Sequence, residues 1–256
     1  MGAGTRVLPR NRFIPKESGV VMKRSTKTPR ARATKRPTVE PVPPAVDDAI
    51  LSMLARRVRV LTSAQIARTW WPSGTAAAKQ CRSHLLKLAR NGDIEIFKMM
   101  AHPEIELAEP LAVWQVGLAL PDMGSVSHRA KRRWPLASVQ TEMVAVTEQG
   151  SARFATSAPR RPRISEATHD LHLTAAYLLM ARTLPTRAMS WRCEADVAAW
   201  LVKHRPPGLR NQKLPDAMVR DGRSSTAIEF VGDYPPAKLR AFHDFCREQG
   251  WGYELW

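Results

Sequence analysis

The chain has 256 residues, enough for one large domain or two small ones, and 44% of them are apolar. Its formal net charge is +17, of which +9 lies in residues 1–40 and +8 in the remainder. Positive charge in both parts predicts a polyanionic partner, most commonly nucleic acid. Its three cysteines have no zinc-site spacing, and no apolar run approaches the ~18 residues of a membrane span. We therefore expect a cytoplasmic protein with no membrane partner.

The first 44 residues are rich in Arg, Lys, Thr and Pro. Little of this segment can be buried, so we predict a disordered basic arm over residues 1–44. Two interpretations stay open. The arm is either a solvated tail, with Met22 as an alternative start, or a source of sequence-independent phosphate contacts.

Three amphipathic helices predict an N-terminal domain over residues 45–158. The second begins at a capping box, Thr62 to Gln65, and the third ends near Asn91–Gly92. Strands near 94–97 and 111–116 follow, and a third strand at 139–146 completes the unit. Helices followed by a two-stranded wing are typical of a winged helix, whose third helix enters the major groove of DNA.

The third predicted helix has an apolar stripe that includes Ala78, Cys81 and Leu85, and a polar face opposite. On the polar face we place His84 in solvent and five residues on double-stranded DNA. The base edges would be read by Lys79, Gln80 and Ser83, and the phosphates would be contacted by Lys87 and Arg90. A basic linker at 128–135 would add Arg132 and Arg133. The alternative is that these charges are only solvated.

Residues 164–256 predict a second domain with the order helix, strand, hairpin, helix, strand. This order indicates an α/β arrangement with a mixed sheet, and an α+β chain overall. Asp221-Gly222 lies between two apolar runs, which is a hairpin signal. A loop over 221–224 places Asp216 opposite Glu229, where a divalent cation would offset the repulsion between the carboxylates. A plain salt-bridged hairpin is the competing interpretation.

Pro215-Asp216 on a hairpin, followed by Glu229 on the next strand, resembles the restriction-endonuclease-like core of PD-(D/E)xK nucleases. With the predicted winged helix in front, the chain is similar to the replication-relaxation family of plasmid and mobile-element proteins. The motifs that carry this resemblance are His169-Asp170-Leu171, Trp191-x-x-Glu194, Pro215-Asp216-Ala217 and Ile228-Glu229.

The resemblance implies that Asp216 and Glu229 hold Mg²⁺ for cleavage of a DNA phosphodiester at an origin-like site. The lysine of the nuclease motif is replaced by Val231, and Lys238 on the next helix would take its catalytic place. Glu194, His169 and Asp233 would form an outer shell. For Glu194 an ordinary strand carboxylate, and for His169 a helix cap, are the competing interpretations.

Two functions remain open at this point. The first is a relaxase-like or nickase-like enzyme of a plasmid or mobile element. The second is an inactive DNA-binding accessory or regulatory protein of replication or mobilisation. Both leave room for other mobilisation or replication proteins as partners, and for a homodimer.

Overall fold

A computed structural model describes residues 44–71, 76–134, 136–156, 159–204 and 214–256. Residues 1–43 of the predicted arm lie outside this part. The elements of the N-terminal half are α1 (Pro44–Arg56), β1 (Leu61–Thr62), α2 (Ser63–Trp70), α3 (Ala77–Arg90), β2 (Ile94–Ala101), β3 (Ala112–Trp114), α4 (Met123–Arg132), β4 (Val139–Val146) and α5 (Glu148–Ala152). A 3-10 turn (Ile164–Glu166) precedes the elements of the C-terminal half, which are α6 (Ala167–Thr183), α7 (Pro185–Met189), β5 (Arg192–Cys193), α8 (Glu194–His204), β6 (Ala217–Asp221), β7 (Ser224–Glu229), α9 (Pro236–Glu248) and β8 (Gly252–Leu255).

The predicted ends of two helices are confirmed in atomic detail. The Thr62 hydroxyl accepts a hydrogen bond from the Gln65 amide at 3.1 Å, and the Gln65 side chain accepts one from the Thr62 amide at 2.9 Å. These reciprocal bonds satisfy amides that the first turn of α2 cannot pair internally. Helix α3 ends at Asn91, and Gly92 follows with a positive φ of 79°.

The described strands form two sheets. The first has the order β1-β4-β2, with β2 and β4 antiparallel over their full length, from Ile94 opposite Val146 to Ala101 opposite Val139. The second has the order β3-β8-β7-β6-β5. The strand predicted at 111–116 is confirmed as β3, but its predicted place in a wing is wrong, because β3 pairs with β8 of the second sheet.

After β2, residues 102–138 leave the first sheet and contribute β3 and α4 to the part of the molecule around the second sheet. The chain returns to the first sheet at β4. The segment predicted as a basic linker is instead helical over 123–132. Asp122 explains where it begins, since its carboxylate accepts hydrogen bonds from the Gly124 and Ser125 amides. All described residues belong to one compact unit, and β3, which precedes the predicted boundary near residue 160, pairs in the second sheet.

The predicted hairpin register is confirmed. Ala217 lies opposite Ile228 and Asp221 opposite Ser224, which is the register that extends to Asp216 and Glu229. The loop is shorter than predicted, because Gly222 adopts a positive φ of 62° and lets the strands run to Asp221 and Ser224. Strands β7 and β8 are parallel, so the mixed sheet is also confirmed.

The strand predicted over 190–195 is wrong in extent. Strand β5 contains only Arg192 and Cys193, and Glu194 is already the first residue of α8. The carboxylate of Glu194 therefore extends from a helix start rather than from a sheet.

Helix α6 lies between the two sheets and is apolar on nearly all sides. Ala176, Tyr177 and Met180 pack in the largest core with residues of α1, α3 and the inner face of the second sheet. Ala167 and Leu171 pack against β2 and β4 in a smaller core. A helix that is apolar all round is normally buried, and this burial fixes the polar residues of its first turns at the junction of the two sheets.

Candidate functional site

Helix α3 presents a cationic face to solvent. Cys81, Leu85 and Leu88 are buried on one side. The exposed side carries Lys79, Ser83, Lys87 and Arg90, while Gln80 is half-buried. The helix contains no acidic residue. Because the helix has no acidic residue to neutralise these exposed cations, this face is suited to bind an external anion.

Two details of α3 differ from the prediction. Ala78 is exposed, and Ala77 packs against the core in its place. His84 is not solvated, since its Nε2 contacts the Asp47 carboxylate and its ring lies 5.5 Å from the Trp71 ring, edge on. His84 therefore joins α3 to α1 rather than facing a ligand.

Arg82 on the same helix was missed by the sequence analysis. Its guanidinium contacts both oxygens of Glu142 on β4 at 2.7 Å. This hydrogen-bonded pair holds the pKa of Glu142 below its ordinary value. The partner lies 60 positions away in the chain, so no local pattern could have indicated it.

The two arginines predicted to contact DNA from the linker have different environments. Arg132 is exposed on α4. Arg133 lies over the Phe230 ring, 4.0 Å from its centroid, and donates a hydrogen bond to the Val231 carbonyl. Burial lowers the pKa of Arg133 to about 10. Arg133 therefore holds α4 onto the sheet, and its contact with phosphate stays a prediction.

The motif residues of α6 and of the segment just before β6 meet in one ionic cluster. The His169 Nε2 lies 2.8 Å from Asp216 Oδ2, and its Nδ1 lies 3.1 Å from Asp170 Oδ1. Both ring nitrogens face carboxylates, and they can donate to both only when the ring is protonated. Burial alone would lower the pKa of His169, but the charges and hydrogen bonds of Asp216 and Asp170 raise it to about 10.

Arg59, in the segment after α1, extends this cluster. It lies 3.4 Å from Asp170 Oδ2 and also binds the Glu194 carboxylate. Asp170 is only 3% exposed, so its charge is balanced by two cations, Arg59 and the His169 ring. We name Arg59, His169, Asp170, Glu194 and Asp216 the ionic cluster.

The ionic cluster lines a cavity of about 610 Å³ between α1, α6 and α8. Arg57 and Arg160 also line it, but Arg57 donates to the Trp191 carbonyl and Arg160 pairs with Glu166 at 2.7 Å. The cavity therefore has a charged wall in which each named cation already has a protein partner.

Glu229 lies in a neighbouring environment. It is 1% exposed and lines a second cavity of about 420 Å³ with Tyr234 and Lys238. The Lys238 ammonium lies 3.2 Å from the Tyr234 ring centroid. Burial lowers the pKa of Lys238, and the charge of Asp216 opposes this shift, which connects the two cavities electrostatically.

Asp233 does not join either group. Its side chain is 78% exposed and pairs with Lys131 of α4 at 2.9 Å. The outer-shell role of Asp233 stays a prediction, and the partner that the structure gives it is Lys131. Glu194 and His169, in contrast, are both in the ionic cluster.

The arrangement gives a direct test of fit for Mg²⁺. Asp216 Oδ2, which would be a metal ligand, accepts hydrogen bonds from His169 and from the Phe230 amide at 2.8 Å. Within the described ranges, no group of three or more His, Cys, Asp or Glu side chains is placed to hold a metal ion. As arranged, the residues at Asp216 fit an imidazolium–carboxylate pair better than Mg²⁺.

His172, one turn after His169, has the opposite chemistry. Its Nδ1 donates to the Thr168 carbonyl at 2.7 Å, and its Nε2 accepts from the Ile105 amide at 3.1 Å. Burial is the largest cause that lowers the pKa of His172, to about 4. The ring is neutral and stacks on Phe230 at 5.3 Å, so it is a packing residue.

No family model, curated protein or solved structure matches the chain. Within the part of the chain that the structure describes, no helix has both the length and the apolar character needed to cross a bilayer.

Proposed function

We propose that the chain is a DNA-binding protein that contacts a duplex through α3. The observation that carries this proposal is the exposed face of α3, with three cations, Lys79, Lys87 and Arg90, and no acidic residue on the helix. No ion pair joins these three cations to another described residue, so all three can bind phosphate.

The elements around α3 support the same proposal. The order α1, β1, α2, α3, β2, β4 and the sheet order β1-β4-β2 are those expected of a winged helix. In that fold the N-terminal part of the third helix meets base edges. Lys79, Gln80 and Ser83 would occupy that position, and Lys87 and Arg90 would contact the phosphates.

The loop that replaces the wing is a departure from that fold. Strands β2 and β4 are joined by residues 102–138, which enter the second sheet instead of forming a short hairpin tip. We infer that phosphate contacts beyond α3 come from the basic arm and from Arg132, rather than from a wing.

Salt-dependent binding tests the α3 contact. In Lys87→Ala/Arg90→Ala, loss of two phosphate contacts should reduce the slope of log affinity against log salt for duplex DNA by about 1.8. Affinity should fall for all sequences alike. The matched control is Arg182→Ala/Arg240→Ala, which removes two exposed arginines of α6 and α9 and should leave the slope unchanged. An unchanged slope in the α3 variant would remove the assignment.

A second function, phosphodiester cleavage, is favoured by one observation. Three motifs that resemble those of the replication-relaxation family are far apart in the chain, and their residues His169, Asp170, Glu194 and Asp216 come together in the ionic cluster. We rank cleavage below DNA binding, because Mg²⁺ would have to displace the protonated His169 ring from Asp216. Under this ranking the protein is a non-catalytic accessory of replication or mobilisation.

A nicking assay separates the two functions. Supercoiled DNA is incubated with the protein and Mg²⁺ or Mn²⁺, and wild type is compared with Asp216→Asn and with Glu109→Gln, an exposed control between β2 and β3. We expect all three to bind DNA without nicking it. Metal-dependent nicking by wild type and Glu109→Gln, lost in Asp216→Asn, would establish the enzyme instead.

A further inference from the structure

A second cationic surface lies on the outer face of the five-stranded sheet, remote in sequence from α3. Arg192 of β5 lies opposite Met218 of β6, and Arg220 follows Met218 by two residues on the same face. Diagonal cross-strand neighbours of this kind are about 7–8 Å apart. Both arginines are exposed, and neither guanidinium forms an ion pair with a residue that the structure describes.

These arginines border a small cavity of about 30 Å³ together with Trp200 of α8. We name this the β5–β6 cleft, and its lining includes Ser190, Arg192, Trp200, Met218, Arg220 and Ser225. No carboxylate is among the described residues that line it. The cleft therefore has the Ser225 hydroxyl and uncompensated positive charge around an apolar floor, whereas the Ser190 hydroxyl already bonds to the backbone of Arg187 and Arg220.

Trp200 is the aromatic component of the cleft. It is 37% exposed, although tryptophan is normally largely buried. Its ring stacks on His204 with centroids 4.7 Å apart and lies 6.0 Å from the Trp251 ring. These neighbours fix the orientation of the indole, so that a flat ligand can stack on it with little loss of side-chain entropy.

The chemistry of the cleft favours one kind of ligand. Arginine guanidiniums bind phosphates, and an exposed indole stacks on nucleobases. The base faces of a duplex are covered by their neighbours, so a tryptophan platform requires unpaired bases.

We propose that the β5–β6 cleft binds single-stranded nucleic acid. A base stacks on Trp200, and consecutive phosphates bind Arg192 and Arg220. The site differs in residues and in ligand from the duplex contact of α3, so a partly opened duplex could be held at both its paired and its unpaired segments.

Binding of labelled oligothymidylate, followed by fluorescence anisotropy, tests the stacking contact. Trp200→Ala should weaken binding by about 5- to 100-fold, the loss that removal of a stacking aromatic produces. Trp200→Phe keeps a ring and should retain most of the affinity. The control is Val202→Ala, two residues away on α8, which is 84% exposed and does not line the cleft.

The salt dependence tests the phosphate contacts. For Arg192→Ala/Arg220→Ala, the slope of log affinity against log salt should fall by about 1.4 for the single strand. Duplex binding should be unaffected by these changes. Conversely, Lys87→Ala/Arg90→Ala should weaken duplex binding and leave oligothymidylate binding unchanged, so failure of either site is read independently.

Three outcomes would overturn the proposal. In the first, wild-type protein does not bind oligothymidylate at moderate salt. In the second, the cleft variants bind oligothymidylate as tightly as wild type does. In the third, the cleft binds an acidic peptide and not oligothymidylate. Circular dichroism and thermal melting of each variant establish that its fold is intact.

Discussion

Helices α3 and α6 both carry several charged side chains, but they place them in opposite environments. On α3, Lys79, Lys87 and Arg90 face solvent. On α6, Asp170 is 3% exposed and His169 is held between two carboxylates. Exposed charges are therefore available to a partner at almost no cost in folding stability, whereas buried charges must be compensated by other groups of the protein.

The largest loss of stability is expected when a buried charge is removed. Asp170→Ala leaves Arg59 and the protonated His169 ring without one of their carboxylates, and should lower the free energy of unfolding by about 3–5 kcal/mol. Urea denaturation measures the change. Asp244→Ala, on an exposed turn of α9, is the control and should change stability by about 0.5 kcal/mol or less.

A loss below about 1 kcal/mol for Asp170→Ala would contradict a charged, self-compensating cluster. It would mean that the His169 ring is neutral and that water solvates the Arg59 guanidinium in place of the Asp170 carboxylate.

The second prediction concerns the pH dependence of His169. Its folded-state pKa is raised to about 10 from an ordinary value near 6.5. Its stabilising contribution is therefore complete below pH ~6.5 and is lost as the pH rises toward ~10. Wild type should lose at least about 1 kcal/mol more than His169→Gln over that range, measured by urea denaturation at several pH values.

Parallel pH curves for wild type and His169→Gln would show that the ring is not protonated in the folded protein. In that case Asp216 would still accept from the Phe230 amide, but a metal ion would displace a neutral ring more easily than a protonated one, and the nicking assay would gain weight.

A smaller effect is expected for the ion pair between α3 and β4. Arg82 contacts both oxygens of Glu142, but its side chain is 59% exposed. A double-mutant cycle of Arg82→Ala and Glu142→Ala should give a coupling free energy of about 0.2–1 kcal/mol, reduced by salt. A coupling free energy of several kcal/mol would mean that this ion pair behaves like the buried charges of α6.

The smallest stability effect is expected on the α3 face itself. Lys87→Ala and Arg90→Ala should each change the free energy of unfolding by about 0.5 kcal/mol or less, because neither side chain has an ion-pair partner in the described residues. The same variants should weaken duplex binding. If these variants lost stability but kept their DNA affinity, the α3 cations would have a structural role and not a DNA-binding role.

The parts of the molecule that local sequence determines were predicted well. The Thr62–Gln65 capping box, the end of α3 at Gly92 and the hairpin register each depend on residues a few positions apart. The mixed sheet followed from the order of these elements.

Contacts between distant residues were not predictable in the same way. Arg59 meets Asp170 across 111 positions, and nothing in the sequence around either residue indicates the other. Strand β3 was assigned to the wrong sheet because a short apolar strand is compatible with any free edge. Helix α8 was missed because Trp191 and Cys193 favour a strand just before it begins.

The detour of residues 102–138 between the sheets has a consequence for how the chain can be divided. Trp114 and its neighbours in β3 complete the edge of a sheet whose other strands are all encoded after residue 190. A fragment ending near residue 158 would carry this strand with nothing to pair with, and the remaining fragment would lack it. Separately expressed halves should therefore be poorly soluble alone and should recover native structure when mixed.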